Sequence, residues 1–206
     1  PDLVINVVDA SNLERQLYLT AQLLEMQIPV VVALNMMDMA KRRGIHIDIA
    51  QLSRSLHCPI ISLTAIHGFG IAELRRALLV IPQTNSTLPY SFAPLLQGAL
   101  QTLTEKLAPK NLPRPWLALR LLEEDRLARH YTSAEELSHV TVLIQQLKNQ
   151  CGEEIDLLIA DARYRWIQSI LKPSLVVNPQ GKTFTSRLDR IVLNRYLGIP
   201  IFLLVM

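Results

Sequence analysis

Val30-Val-Val-Ala-Leu-Asn-Met-Met-Asp38 decides the fold. Five consecutive apolar residues, three of them β-branched, stop abruptly at a polar turn. The run is too short for a buried helix and reads as a strand covered on both faces. Two similar runs flank it, Leu3–Val8 before and Pro59–Leu63 after. Between the first two runs, Leu13, Leu17, Thr20, Ala21 and Leu24 recur at helical spacing, and Ile49, Leu52 and Leu56 do so before the third. Ile71, Leu74 and Leu78 form one more stripe, ended before Pro82. Strands alternating with amphipathic helices specify βαβ units and a parallel sheet. Ser11 with Glu14 predicts a capping box on the first helix, and Asp48 with Gln51 a similar start for the next.

In open α/β sheets, ligands gather outside the carboxyl ends of the strands. There the chain carries Asn35-Met36-Met37-Asp38, the Asn-x-x-Asp pattern with which GTP-binding proteins read their base. The Asp38 carboxylate can accept hydrogen bonds from guanine N1–H and the 2-amino group. Adenine has neither donor there, and a site built on such bonds rejects an analogue lacking them by about 10⁴-fold or more. Asn35 can donate to the guanine N7/O6 edge or tie neighbouring loops together. Met36 stands where Lys is commoner, and its polarizable stem can lie over the base. The third strand ends in Thr64-Ala65-Ile66, similar to the Ser-Ala-Lys loop of the same proteins, where the Ala65 N–H would face guanine O6. Gly68 and Gly70 then permit a tight turn into the last helix. The tetrapeptide alone reads more simply as an Asn/Asp turn at a strand exit. The order strand, Asn-x-x-Asp, helix, strand, Thr-Ala-x-x-Gly, helix favours base recognition.

No G-x-x-x-x-G-K-[ST] occurs, and Asp9-Ala-Ser-Asn12 does not complete an Asp-x-x-Gly. Phosphoryl transfer depends on positioned phosphates and Mg²⁺, so no residue is assigned a catalytic role and these residues by themselves are not expected to hydrolyse GTP. The 206 residues are 50% hydrophobic, which excludes a disordered chain. Two cysteines, Cys58 and Cys151, are too few for a disulfide scaffold or a four-ligand zinc site. The net charge of +3 comes with only 5% aromatic residues, a poor case for nucleic acid as a partner.

Residues 1–82 thus read as the carboxy-terminal half of a nucleotide-binding α/β domain, and Pro82–Pro89 as a linker. Residues 83–172 read as an all-helical domain. Leu96, Leu100, Leu103 and Leu107 trace one helix, Pro115 opens a short one, and Ser133 with Glu136 caps a third carrying Leu137, Val140, Ile144 and Leu147. Ile155, Ile159, Ala162, Trp166 and Ile170 line a fourth, and residues 88–172 are expected to fold alone. Residues 173–195 form an irregular stretch and a basic amphipathic segment, with Leu188, Ile191 and Val192 opposing Arg187, Arg190 and Arg195. Residues 196–206, Tyr196-Leu-Gly-Ile-Pro-Ile-Phe-Leu-Leu-Val-Met206, read as the start of a transmembrane helix behind a positive flank. An apolar end and a beginning directly in a strand suggest an internal fragment of a longer protein.

Several stretches together resemble the bacterial ferrous iron transport protein B family: Val7–Arg15 with Leu17–Thr20, Ala33–Asp38, Ile159–Tyr164 and Asp189–Phe202. The resemblance spans essentially the whole chain. It implies an incomplete P-loop GTPase-like sheet, a helical domain restraining nucleotide release, and a membrane domain passing Fe²⁺ inward. It makes Asn35, Met36, Met37 and Asp38 the guanine motif and Thr64, Ala65 and Ile66 the last nucleotide loop. It implies GTP/GDP as ligand, Mg²⁺ in the intact parent only, and the cytoplasmic side of a bacterial inner membrane as location. Guanine nucleotide, transported Fe²⁺ and membrane lipid are the implied partners, nucleic acid is not, and the oligomeric state is left open, a homo-oligomer being one option.

The alternatives are a soluble GTPase with an appended helical module acting on ribosome or RNA, and a non-catalytic helical scaffold. No metal ligands are assigned. His46 and His57 read as solvent-facing, Cys58 as a small buried hydrophobe, and Glu123-Glu-Asp125 as a solvated acidic face paired with Arg126 and Arg129. Trp116 and Trp166 read as core of the helical bundle.

Overall fold

The computed structural model describes residues 1–80, 82, 87–108, 112–152 and 154–177. Three parallel strands form the sheet in the order β1 (Val4–Asp9), β2 (Val30–Asn35), β4 (Ile60–Ser62). Val4 pairs with Val30, Asp9 with Asn35, and Leu34 with Ser62. Val30 to Leu34 are all buried, as their unbroken apolar run requires. Helices α1 (Leu13–Glu25), α2 (Met37–Arg42), α3 (Ile49–Leu56) and α4 (Ile71–Ala77) alternate with the strands.

One face of β1 is covered and the other is open. Val8 lies in the core, and Asn6 is buried beside it, its amide donating to Thr20 Oγ1 at 2.7 Å. Ile5 and Val7 on the opposite face are exposed, and β1 is an edge strand.

The first helix does not start as its spacing predicted. A 3₁₀ turn, Ala10–Asn12, intervenes, and Asp9 caps it by accepting from the Ser11 N–H at 2.8 Å. The intervening turn makes Asn12, not Ser11, the residue before α1, and the Ser11–Glu14 box does not form. Asp48 does cap α3, accepting from Gln51 N–H at 2.9 Å, while the Gln51 side chain turns to Arg54. Beyond the sheet come α5 (Pro94–Lys106), α6 (Arg114–Leu122), α7 (Arg126–His130), α8 (Ala134–Cys151) and α9 (Ile155–Ser174). Ser133 and Glu136 form the expected reciprocal box at the start of α8.

Two short strands escaped the sequence patterns. β3 (Ile45–Ile47) follows α2, β5 (Leu175–Val177) follows α9, and they pair antiparallel with Ile45 opposite Val177. The irregular stretch expected from Lys172 is thus helical through Ser174, despite Pro173, and then extended.

Helix α9 belongs to two cores. Ile155 and Ile159 pack with Leu96, Leu117 and Val140 in the helical core. Ile167, Ile170 and Leu171 pack with Leu17, Val32 and Leu52 in the α/β core. Trp166 also sits against the α/β core, not in the helical one, because it lies on the second half of the rod. Residues 88–172 cut out alone would expose that apolar half.

At the crossover, Arg163 is almost fully buried. Its Nε and Nη2 donate to Glu25 Oε1 and Oε2 at 2.6 and 3.0 Å, and its Nη1 donates to Glu123 Oε1 at 2.6 Å. Arg120 closes the ring, donating to Glu25 Oε2 at 3.0 Å and Glu123 Oε2 at 2.8 Å. The Tyr90 hydroxyl donates to Glu25 Oε1 as well, and Arg163 reaches the Tyr18 hydroxyl at 3.2 Å. Burial opposes the charge on Arg163, but its bonds to Glu25 and Glu123 outweigh that and raise its pKa further. Burial, then the negative Glu25, pushes the Tyr90 phenol well above its usual value. The Glu123–Asp125 cluster is therefore no solvated face: Glu123 is locked in the ring, Glu124 pairs with Lys148, and Asp125 caps α7.

Among the described residues, no helix is long and apolar enough to cross a membrane. Residues 83–86 of the linker and all of 178–206, including the basic segment and the apolar run, lie outside the described residues.

Candidate nucleotide-binding site

The carboxyl ends of β1, β2 and β4 lie side by side, so the loops after β2 and β4 are neighbours. Three hydrogen bonds stitch them. Leu63 N–H donates to the Leu34 carbonyl at 2.7 Å, and Met37 N–H donates to the Leu63 carbonyl at 3.3 Å. Ala65 N–H donates to Asn35 Oδ1 at 3.1 Å. Asn35 thus ties the loops together, one of the two roles open to it. The Ala65 N–H is turned towards Asn35, not outward to a ligand, because the side-chain oxygen is the acceptor at hand.

Met36 has φ 59°, left-handed backbone that costs a non-glycine residue about 1–2 kcal/mol. That turn lets the chain leave β2 and start α2 with Asp38 in its first turn. Met36 is exposed and Met37 half-buried. The Asp38 carboxylate is partly exposed and has Arg42 at 3.8 Å, too long and too solvated to hold it firmly.

Thr64 is buried and closes the second loop: its N–H donates to the Phe69 carbonyl at 3.1 Å, and its own carbonyl accepts from His67 N–H at 2.9 Å. A 3₁₀ turn, Ala65–His67, projects between them with Ile66 85% exposed. Gly70 has φ 82°, and a Cβ there would collide with the Ser62 carbonyl oxygen, so this turn admits only glycine. Asn35, Met36, Met37, Asp38, Thr64, Ala65 and Ile66 thus share one end of the sheet, where the Asp38 carboxylate is partly exposed and Met36, Ile66 and Phe69 are exposed apolar side chains. The arrangement can take a flat, partly apolar group whose edge carries N–H donors.

Arg42 and Arg43 were not singled out in the sequence. Arg43 Nη1 donates to the Ser11 carbonyl at 3.3 Å, anchoring α2 to the turn after β1. The four-residue spacing from Asp38 to Arg42 was the available signal. The residues set aside lie away from this site. His46 and His57 are exposed; Cys58 is buried at the entry to β4, and burial pushes its thiol up to about 12. Among the described residues no three His, Cys, Asp or Glu side chains converge as a metal site would need.

A model of the family described as ferrous iron transport protein B matches residues 1–78, and one described as the FeoB cytosolic helical domain matches residues 92–176. The Fe(2+) transporter FeoB of Escherichia coli (strain K12) is 44% identical over 210 residues, covering 100% of this chain and 27% of the transporter. That of Salmonella typhimurium is 42% identical over the same shares. The chain thus spans about a quarter of the length of these curated relatives. Among solved structures, the cytosolic domain of L. pneumophila FeoB is similar with TM-score 0.71 and 38% identity, over 85% of this chain and 68% of that one. An S. thermophilus NFeoB mutant bound to GDP is similar with TM-score 0.75 and 28% identity, over 84% and 69%.

Proposed function

The chain belongs to the ferrous iron transport protein B family, and on that premise we propose that it carries the base-reading half of a guanine-nucleotide switch in a protein that moves Fe²⁺ across a bacterial membrane. The observation that carries the base-reading part is the bond from Ala65 N–H to Asn35 Oδ1, which ties the Asn-x-x-Asp turn to the Thr-Ala-Ile loop. In this role Asp38 accepts from guanine N1–H and the 2-amino group, releasing its weak hold on Arg42. Asn35 keeps the loops in register and offers its amide to the N7/O6 edge. Met36 covers one face of the ring, and, with the Thr64 and Ala65 N–H groups engaged within the loops, the Ile66 N–H supplies the backbone donor to O6. A relative's structure bound to GDP supports the ligand class.

Phosphate and Mg²⁺ contacts belong to parts not found in these 206 residues, which contain no G-x-x-x-x-G-K-[ST]. The open edge of β1 and its exposed Ile5 and Val7 are where further strands and a helix of such a domain would pack. The helical part, residues 83–172 in this reading, restrains nucleotide release, and residues 196–206 lead into the membrane from its cytoplasmic side.

The test is titration of the isotope-labelled chain with GDP, XDP and ADP at millimolar concentration, following the Ala65 and Ile66 amides. GDP is expected to shift them and ADP not. In Asp38→Asn, an amide N–H faces C2, so XDP, which has a carbonyl there, should replace GDP as the better ligand. Equal responses to GDP and ADP in the unmodified chain would refute the assignment.

A further inference from the structure

We propose that the outer face of the β3–β5 pair, together with Lys41 and Arg43, docks on an anionic lipid bilayer. This deepens the membrane part of the reading above by naming the face that meets the lipid. The two-stranded sheet is amphipathic in an unusual sense. Its inner side chains, Ile45, Ile47 and Leu175, pack on the α/β core. On its outer side His46 and Val176 stand directly opposite each other, and Val176 is 58% exposed.

Strand β5 runs towards the start of β3, so the main chain reaches Val177 opposite Ile45, two residues from Arg43. Lys41, Arg42 and Arg43 end α2 there and are all exposed, and Lys172 is exposed just before β5 at the other end of the pair. The sequence that follows adds Lys182, Arg187, Arg190 and Arg195 against a single acid, Asp189, before the apolar Tyr196–Met206. Outside these two basic groups the chain is net acidic. Lys41, Arg42 and Arg43 thus lie beside the end of β5, and the sequence beyond it is basic as well.

Neither nearby acid cancels the patch. Asp38 holds Arg42 only loosely, at 3.8 Å, and Asp48 caps α3, so Lys41, Arg42, Arg43 and Lys172 outnumber the two acids, and Lys41 and Arg43 stay exposed. A basic rim around an exposed aliphatic side chain matches the headgroup zone of an anionic bilayer, where charge attracts and the apolar group partitions. Single-stranded nucleic acid would call for stacking aromatics, and residues 41–48 and 172–177 contain no Phe, Tyr or Trp.

The experiment uses the full chain and two kinds of vesicle, pure phosphatidylcholine and the same lipid with about 30% phosphatidylglycerol, at low ionic strength. The quantity read is the ratio of the two affinities, in which insertion of an apolar segment, common to both vesicles, cancels. At about 1 kcal/mol per basic residue, Lys41→Gln should lower the ratio about 5-fold, and Lys41→Gln with Arg43→Gln about 30-fold. Arg75→Gln with Arg76→Gln, equally exposed on α4, should leave it within about twofold. A ratio unchanged in the Lys41/Arg43 variant overturns the proposal, and so does an equal fall in both double variants. Binding to an oligonucleotide that exceeds binding to the anionic vesicles and is lost in the same variants overturns it in favour of nucleic acid. Lys41→Gln should leave the GDP response of the Ala65 and Ile66 amides intact, so failure of the docking face and failure of the base-reading assignment give different results.

Discussion

Glu25 and Asp38 are both carboxylates of the α/β unit, and they live in opposite conditions. Glu25 is wholly buried, and its two oxygens accept from two guanidinium groups and a phenol. Asp38 is partly exposed and has one distant cation beside it. The first carboxylate has no lone pair to spare and can only hold the fold together. The second has its capacity largely unspent, which is the condition for binding a ligand. Where a chain satisfies its own charges it builds structure; where it leaves them open it leaves room for chemistry.

The contrast breaks most visibly at Arg163. Arg163→Met leaves Glu25 with no bidentate partner in a dry site, and the expected loss is about 3–5 kcal/mol in urea denaturation. Combining it with Glu25→Leu removes both charges, leaves the Arg120–Glu123 pair in place, and should restore most of that loss. If the double variant is as unstable as the single, the ring is not the closed unit described here. Next in size is Gly70→Ala at the open end. Backbone collision and a left-handed φ should cost on the order of 2 kcal/mol and shift the Thr64–Ile66 amides in a nuclear magnetic resonance spectrum. Ser133→Ala is smaller, at about 1 kcal/mol, because it removes one half of a reciprocal cap in the helical part, far from both carboxylates. Smallest in stability is Asp38→Ala, within about 0.5 kcal/mol of the unmodified chain. The same change should abolish the preference for GDP over ADP. A large stability loss on removing Asp38 would place it with Glu25, as a structural charge.

The parallel sheet was legible because its strands are short apolar runs separated by helical stripes, and the seven candidate residues could be read as neighbours because they follow two strand exits of one sheet. What stayed hidden has physical reasons. β3 and β5 are three residues each, too short for any period to show, and their pairing joins positions about 130 residues apart. The cap at Asp9 was hidden because Ser11 offers the commoner sequence signature, and only the 3₁₀ turn reveals which oxygen reaches the free N–H. The ring was missed for a different reason, since charged side chains are normally read as solvated. Yet its two central members stand on the buried stripes, Glu25 four residues after Ala21 and Arg163 midway between Ile159 and Ile167. A charge at a position the helical repeat assigns to the interior was the available signal. Met36 shows the limit at the site, since nothing in the tetrapeptide forces its left-handed turn.

Helix α9 has one end embedded in each hydrophobic interior, and that has a consequence for how such a protein can be rearranged. A module joined through a loose tether can be duplicated, lost or grafted onto another catalytic unit with little harm to either piece. Here any cut between the two parts strips Ile167, Ile170 and Leu171 from one interior or Ile155 and Ile159 from the other. The helical part is thereby barred from moving through evolution as a separate cassette, and the two parts should melt in a single transition.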